Sequence, residues 1–343
     1  MNLSRESIFV SALRSFAKAL FGTIGALIGV GIIVVVFSLF LSKSHVVMEQ
    51  TTIQIEPDAN GKRTPLSSNS PIVLKVNIQG VIGSRHKQSA DYQRQFDDSQ
   101  GFTLSEGRVK AVLLDINSPG GSAIDSDNLY RMIMTYKEKY QVPVYAFVNG
   151  LCASGAMYAA CAADKIISTP VSIIGSVGVI MGPNFNVYEL MQKYGVKQLS
   201  LIEGKDKDLL NPYREWSEEE AKPLKPVSEY LYERFVSIVA LSRPRLTKEN
   251  LKEVYGANIY PAPLALEYGY IDDYQGDYAE ALDELVKLAK IDGEYQVVSL
   301  KSQTPFLQDL IKEKSPLLTG KIKHEFFEET PFNKEPFLYL FKP

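Results

Sequence analysis

The sequence of 343 residues predicts an α/β core of buried strands alternating with helices, carried behind one membrane-spanning helix. Three observations predict it. Residues 19–42, "ALFGTIGALIGVGIIVVVFSLFLS", hold no charge between Lys18 and Lys43. The runs "VKAVLLDI" (109–116) and "VPVYAFVN" (142–149) are almost continuously apolar, as in strands buried on both faces. Each leads into a turn and then a helical pattern, the order that builds a largely parallel sheet.

The elements follow in chain order. Residues 19–42 exceed the roughly 20 residues needed to cross a bilayer core, and the exit "SLFLSKSH" lacks the small-residue cleavage signature of a removed leader. We therefore expect an uncleaved anchor. Arg5, Arg14 and Lys18 precede the span and oppose only Glu6, whereas Lys43, Glu49 and Glu56 follow it. The positive-inside bias puts residues 1–18 in the cytoplasm and everything after residue 43 outside it. Residues 43–70 are polar and read as a tether. Residues 72–83, "IVLKVNIQGVIG", read as a strand, a turn and a strand start, and residues 84–107 are weakly patterned. After residues 109–116 comes the glycine turn "SPGGS", and Ser122 with Asp125 then opens a helix to about Tyr140. "ASGAMYAACAA" reads as a tightly packed helix, and "KIISTP" and "SVGVIM" as short strands. Ser217 with Glu220 signals a helix to about Leu241, and Asp277 opens another to about Ala289. The last fifty or so residues are polar spacers with apolar clusters such as "FLYLF". Residues 71–290 thus form the expected folded unit and 291–343 a C-terminal arm, with "FLYLF" expected at a subunit interface.

Composition narrows the function. An apolar content of 45% supports a sizeable core, and a net charge of −3 lacks the basic stripe of a nucleic-acid binder. Cys152 and Cys161 have no metal-ligand spacing and read as small buried side chains. No phosphate-binding loop of the G-x-x-x-x-G-K-[ST] kind is present, so neither nucleotide, metal nor other cofactor is expected.

The chemistry concentrates at three places. Gly120 and Gly121, after a buried strand, offer backbone N–H groups to which a substrate carbonyl can come close. Ser154 stands between Ala153 and Gly155 after the next strand. Serine is a weak nucleophile and needs a base. The chain has only His45, His86 and His324; the first abuts the membrane segment, the last lies in the tail, and His86 stays open as a candidate. A Ser–Lys dyad is the economical alternative, with Lys207 in "GKDKD" as the lysine and Lys205 as its competitor. Each member alone has an ordinary reading, as a turn, a helix cap or a solvated loop; the joint pattern carries the argument.

The segments "INSPGGS", "NGLCASGAMYAACAADKIISTP", "SIIGSVGVIMG", "EGKDKDLLNPYREWSEEE" and "YGYID" resemble the signal peptide peptidase A family, serine peptidases of the Clp-protease/crotonase superfamily. The match spans roughly residues 72–275, in the order of the short form with one catalytic unit per chain. The resemblance implies a core of repeated β-β-α units. It implies Ser154 as nucleophile, Lys207 as general base, Ser176 as a hydroxyl orienting the lysine, and Gly120, Gly121 and Gly155 at the oxyanion hole. It further implies a ring-shaped homo-oligomer, an octamer, in the bacterial inner membrane, with remnant signal peptides and misfolded exported protein as substrates. Two departures stand out. Ala156 and Met157 replace a glycine and an aromatic, which reshapes a substrate pocket, and Glu203 replaces a small polar residue near the lysine. Two other readings compete: a crotonase-type thioester enzyme, which needs neither Ser154 nor Lys207, and a non-catalytic scaffold that presents peptides.

Overall fold

The computed structural model describes residues 8–43, 50–63, 65, 67, 69–84, 88–101, 104, 107–303 and 338–340. The chain divides into two compact units at Gln50. The first is α1 (Ile8–Lys43), a single unbroken helix. Its stretch Val10–Val36 has a mean hydropathy of 2.6 and no residue buried in the protein. A helix this long and apolar is suited to a bilayer, as the uncharged run from Lys18 to Lys43 predicts.

The second unit is built on one sheet. Its strands are β1 (Gln50–Glu56), β2 (Ile72–Gln79), β3 (Val109–Ser118), β5 (Val144–Ala153), β6 (Lys165–Ser168), β7 (Ile173–Gly175), β8 (Ile259–Pro261) and β9 (Gln296–Gln303). They lie in the order β1-β9-β2-β3-β5-β7-β8, with β6 also paired to β5. The pairs β9–β2, β2–β3, β3–β5, β5–β6 and β5–β7 are parallel, and β8 joins β7 antiparallel. The sheet is wider than residues 71–290: β1 comes from the stretch read as a tether and β9 from that read as an arm. The edge of β2 needs a partner for its N–H and C=O groups, and β9 supplies it over Ile72–Lys75.

The helices are α2 (Ser89–Asp98), α3 (Ala123–Tyr140), α4 (Gly155–Ala160), α5 (Tyr188–Lys193), α6 (Lys225–Ser242), α7 (Lys248–Asn250), α8 (Ala262–Tyr268) and α9 (Tyr278–Leu288). The apolar runs find covers on both faces. Val112, Leu114 and Ile116 of β3 join Leu129 and Ile133 of α3, Tyr158 of α4 and Phe235 and Val239 of α6 in one core. Ala111 and Leu113, pointing the other way, meet Leu282 and Leu285 of α9. This two-sided burial is why the strands read as continuous rather than alternating. Burying side chains of this size contributes about 1.5–3 kcal/mol each before the entropy of folding is set against it.

Helix signals held where the cap was local. The Ser122 hydroxyl accepts from Asp125 N–H and opens α3. The reciprocal half of that box is not made; the Asp125 carboxylate instead accepts Ser89 N–H at 2.7 Å, joining α2 to α3. Asp277 and Glu280 form the full box that opens α9. Three local expectations are corrected. The helix expected from Ser217 begins only at Lys225, after a 3₁₀ turn at Lys222–Leu224. Pro223 and Pro226 confine the helix start, and the Glu220 carboxylate is drawn to Arg214 at 2.6 Å. The strand expected in "SVGVIM" lies just upstream as β7, because Ser176 takes a φ of 54° and turns the chain out of the sheet. In the weakly patterned stretch 84–107, α2 buries Tyr92 and Phe96. Cys152 and Cys161 are free and buried, as expected.

A second, two-stranded sheet pairs β4 (Gly120–Ser122) with β10 (Leu338–Leu340) of the same chain. Residues 338–340 belong to the cluster expected at a subunit interface; here they lie on β4.

Candidate active site

The parallel strands β3 and β5 both end at one edge of the sheet, where ligands bind in folds of this class. After β3 the chain turns through Gly120, at φ 90°. The turn is clamped to Ile82: its N–H donates to Gly120 C=O at 2.8 Å and its C=O accepts Ser122 N–H at 2.9 Å. A side chain on Gly121 would place its Cβ 1.9 Å from the Ile82 carbonyl oxygen, so only glycine fits. Gly120 N–H donates to Ser118 Oγ at 3.1 Å, which turns that amide back toward β3.

Ser154 follows β5 directly. Its backbone has φ 56° and ψ −120°, a region that residues with a Cβ rarely adopt, and it is 1% exposed. Register explains how it is held. Ala153 pairs with Gly175 at the end of β7, and Ser154 N–H donates to Gly175 C=O at 2.8 Å. Ser176 is therefore the neighbour of Ser154 across the strand pair. It too has a positive φ, and its N–H donates to Asn258 C=O at 2.7 Å. Among the described residues no protein group hydrogen-bonds either hydroxyl. Both serines line one open cleft of about 560 Å³, walled by Val177, Gly178, Val179 and Ile180 and, from α6, by Ser228, Glu229 and Tyr232.

Behind Ser154, α4 is fully buried from Gly155 to Ala160. Tyr158 donates its hydroxyl to Asp127 Oδ1 at 2.6 Å, and Arg234 Nε donates to the same oxygen at 2.8 Å. Burial opposes the charge on Asp127, but the bonds from Tyr158 and Arg234 hold its carboxyl below the ordinary range. One carboxylate thus ties α3, α4 and α6 together beneath the serine. The thiols nearby are unsuited to nucleophilic work. Burial raises Cys152 far above its ordinary value and pushes Cys161 up to about 11.

Lys207 lies elsewhere. It sits with Lys205 in an exposed stretch after α5 and is not among the residues lining the Ser154 cleft. The backbone beyond it is fixed by a clasp. Arg214 donates to Asp208 Oδ2 at 3.0 Å and to Glu220 Oε1 at 2.6 Å, and Glu220 also accepts Leu210 N–H at 2.8 Å. The hydrogen bond from Arg214 depresses Glu220 to about 2. The structure thus brings Ser154 and Ser176 together, sets Gly120 and Gly121 in the β4 turn and Gly155 at the start of α4, and leaves Lys207 apart. His45, His86 and His324 lie outside the described residues. Sequence reasoning missed Asp127, Arg234 and the wall from α6. Asp127 and Arg234 are joined only by the fold, and no local spacing marks them.

This is an α/β enzyme-like core with a strained, cleft-facing serine at a strand end. Comparison with known proteins agrees with it. The model of peptidase family S49 matches residues 136–292. A protein assigned as signal peptide peptidase SppA in Enterococcus faecium is 32% identical over 243 residues, 69% of each chain. A protease of Synechocystis sp. is 32% identical over 248 residues, 72% of this chain and 85% of its own. The chloroplastic serine protease SPPA of Arabidopsis thaliana is 31% identical over 170 residues, 49% of this chain and 24% of its own. The chain belongs to peptidase family S49, the signal peptide peptidase A family. It is a serine peptidase.

Proposed function

We propose that the protein is a membrane-anchored endopeptidase in which Ser154 attacks the scissile carbonyl and a Lys207 amine takes its proton. The observation that carries the reading is Ser154 itself: a strained serine at the end of β5, facing a cleft beside Ser176. Strain of this kind costs about 1–3 kcal/mol and persists where the surroundings over-determine it. The amides of Gly121 and Gly155 are the donors proposed for the oxyanion. Gly120 N–H, bonded to Ser118, serves by shaping the turn, or turns toward the oxyanion when substrate enters.

Within one chain Lys207 lies outside the cleft, so we propose that it reaches Ser154 of a neighbouring copy in a homo-oligomeric ring. The segment carrying it is rich in exposed apolar side chains. Leu199 is 88% exposed and Leu201 93%, with Phe185 and Tyr194 close in sequence. Such a surface marks an interface. Docking there would desolvate the lysine, and burial disfavours the charged form of an amine, leaving the neutral form that a general base requires. Ser176 would then hold the amine by a hydrogen bond. The proton passes from Ser154 Oγ to the Lys207 amine, then to the leaving amine, and water hydrolyses the acyl-enzyme.

Remnant signal peptides suit a site held beside a bilayer by α1, and the apolar walls of the cleft suit their side chains. A fluorophosphonate probe tests the nucleophile. Mass spectrometry of the labelled protein should place the adduct on Ser154, with labelling lost in Ser154→Ala. Labelling at another residue would overturn the assignment.

A further inference from the structure

The backbone of Ser154 is held at both ends. Its N–H donates to Gly175 C=O at 2.8 Å, and its C=O accepts Tyr158 N–H at 3.0 Å. The second bond fixes the direction of the Ser154 carbonyl, so the place of Tyr158 bears on whether residue 154 keeps φ 56° and ψ −120°. Tyr158 is fully buried, its ring centroid 5.0 Å from that of Phe235 on α6 and 5.6 Å from that of Tyr130 on α3. Ring packing sets no fixed direction; the hydroxyl does, through its 2.6 Å bond to Asp127 Oδ1. The Asp127 carboxylate is held in turn. Arg234 reaches Oδ1 through Nε at 2.8 Å and through a terminal nitrogen at 2.7 Å, and Arg131 donates to Oδ2 at 2.8 Å. Hydrogen bonds to an ionised group are about twice as strong as neutral ones. Arg234 lies on α6 two residues beyond Tyr232, which walls the Ser154 cleft. One carboxylate therefore connects the serine to the wall against which a peptide would lie.

We propose that Asp127 is a positioning residue of this peptidase: through Tyr158 it fixes α4, and with it the Ser154 hydroxyl and the Gly155 amide, and through Arg234 it fixes the α6 wall of the same cleft. This rests on Ser154 being the nucleophile. It supplies a restraint on Ser154 that a helix of six residues, too short to be stable by itself, lacks. The Tyr158 hydroxyl then acts on the rate and not on binding, whereas Asp127, which also holds Arg234, acts on both. A misplacement of about 1 Å in a reacting group costs up to about a hundredfold in rate.

The test uses the full chain in detergent, at equal oligomer mass, as wild type, Tyr158→Phe and Asp127→Asn. Tyr158→Phe removes one hydroxyl and keeps the ring between Phe235 and Tyr130, so the packing survives. For an apolar peptide it should lower kcat by about tenfold to a hundredfold with KM within about twofold, and Asp127→Asn should lower kcat and raise KM as well. The second readout is a cycle of thermal midpoints in wild type, Tyr158→Phe, Ser154→Gly and the double variant. If the hydroxyl holds residue 154 in a strained conformation, removing it relieves strain only where a serine is present. Tyr158→Phe should then lower the midpoint further in the Ser154→Gly chain than in the wild type. A merely stabilising contact shifts both midpoints equally and leaves kcat alone. Equal shifts, or an unchanged kcat in Tyr158→Phe, overturn the proposal. If the shifts differ but no chain cuts peptide, the nucleophile reading fails while the hold on residue 154 stands. If every chain that keeps Ser154 cuts with the wild-type kcat, the positioning proposal fails and the nucleophile reading stands.

Discussion

Ser154 holds a backbone conformation that glycine would hold without strain, with φ 56° enforced by the Ala153–Gly175 pairing and by the burial of α4. On the proposed reading, serine is there for its hydroxyl and not for the fold. Ser154→Gly should therefore raise thermal stability, by about 1 kcal/mol at the melting midpoint, while abolishing peptidase activity. An unchanged or lower midpoint would mean that the position is not strained. Gly121 is the converse case. Its Cβ would sit 1.9 Å from the Ile82 carbonyl oxygen, so Gly121→Ala must push β4 away from Ile82. Loss of stability of about 1–3 kcal/mol together with lost activity is expected, read by a denaturation curve and a peptide assay. At this scale much was legible. A serine before glycine after a buried strand, and glycines after another, are local patterns. That Ser154 and Ser176 are neighbours was not local. It needed the β5–β7 register, which brings residues from two separate turns together.

The elements were readable where one segment's own pattern decides them, as in α9 with its capping box or β3 with its unbroken apolar run. They were misread where a distant group competes. Glu220 was expected to cap a helix from Ser217; it does accept Ser217 N–H, at 3.3 Å, but it also binds Arg214, and the helix itself starts only at Lys225. The clasp has a built-in reporter, because Trp216, the single tryptophan, donates its indole N–H to Asn211 C=O at 2.7 Å. Glu220 is depressed from its ordinary value to about 2, so its contribution is present above the ordinary carboxylate range and is lost as pH falls toward 2. Trp216 emission should stay constant from pH 7 to about 4 and red-shift only below that. Arg214→Ala should show the red-shifted emission at neutral pH. The same emission for both chains at pH 7 would contradict the clasp. At the far end of α6, Arg243 makes a two-pronged bond to Asp272, at 2.8 and 2.7 Å, and Asp272 also accepts Ile166 N–H from β6. Arg243→Ala removes both prongs from a carboxylate that keeps the Ile166 N–H, and should cost about 1.5–3 kcal/mol, measured by chemical denaturation.

Across the whole molecule, the apolar N-terminal helix, the α/β class and the position of the candidate site at the ends of parallel strands follow from hydropathy and strand order. The placement of Lys207 does not, because a motif fixes a lysine's place in the chain but not the copy it serves. If Lys207 acts on a neighbour, co-assembled Ser154→Ala and Lys207→Ala chains should recover up to about a quarter of wild-type activity, since random closed rings pair an intact serine with an intact lysine at that frequency. No recovery from well-mixed oligomers would put both groups in one chain.

The most direct test of the central claim is cleavage of an apolar signal peptide by the full-length protein in detergent, wild type beside Ser154→Ala and Lys207→Ala, at equal oligomer mass. Loss in both variants by at least about a thousandfold is predicted, as for members of a unit that acts together. Cleavage that survives Ser154→Ala would contradict it.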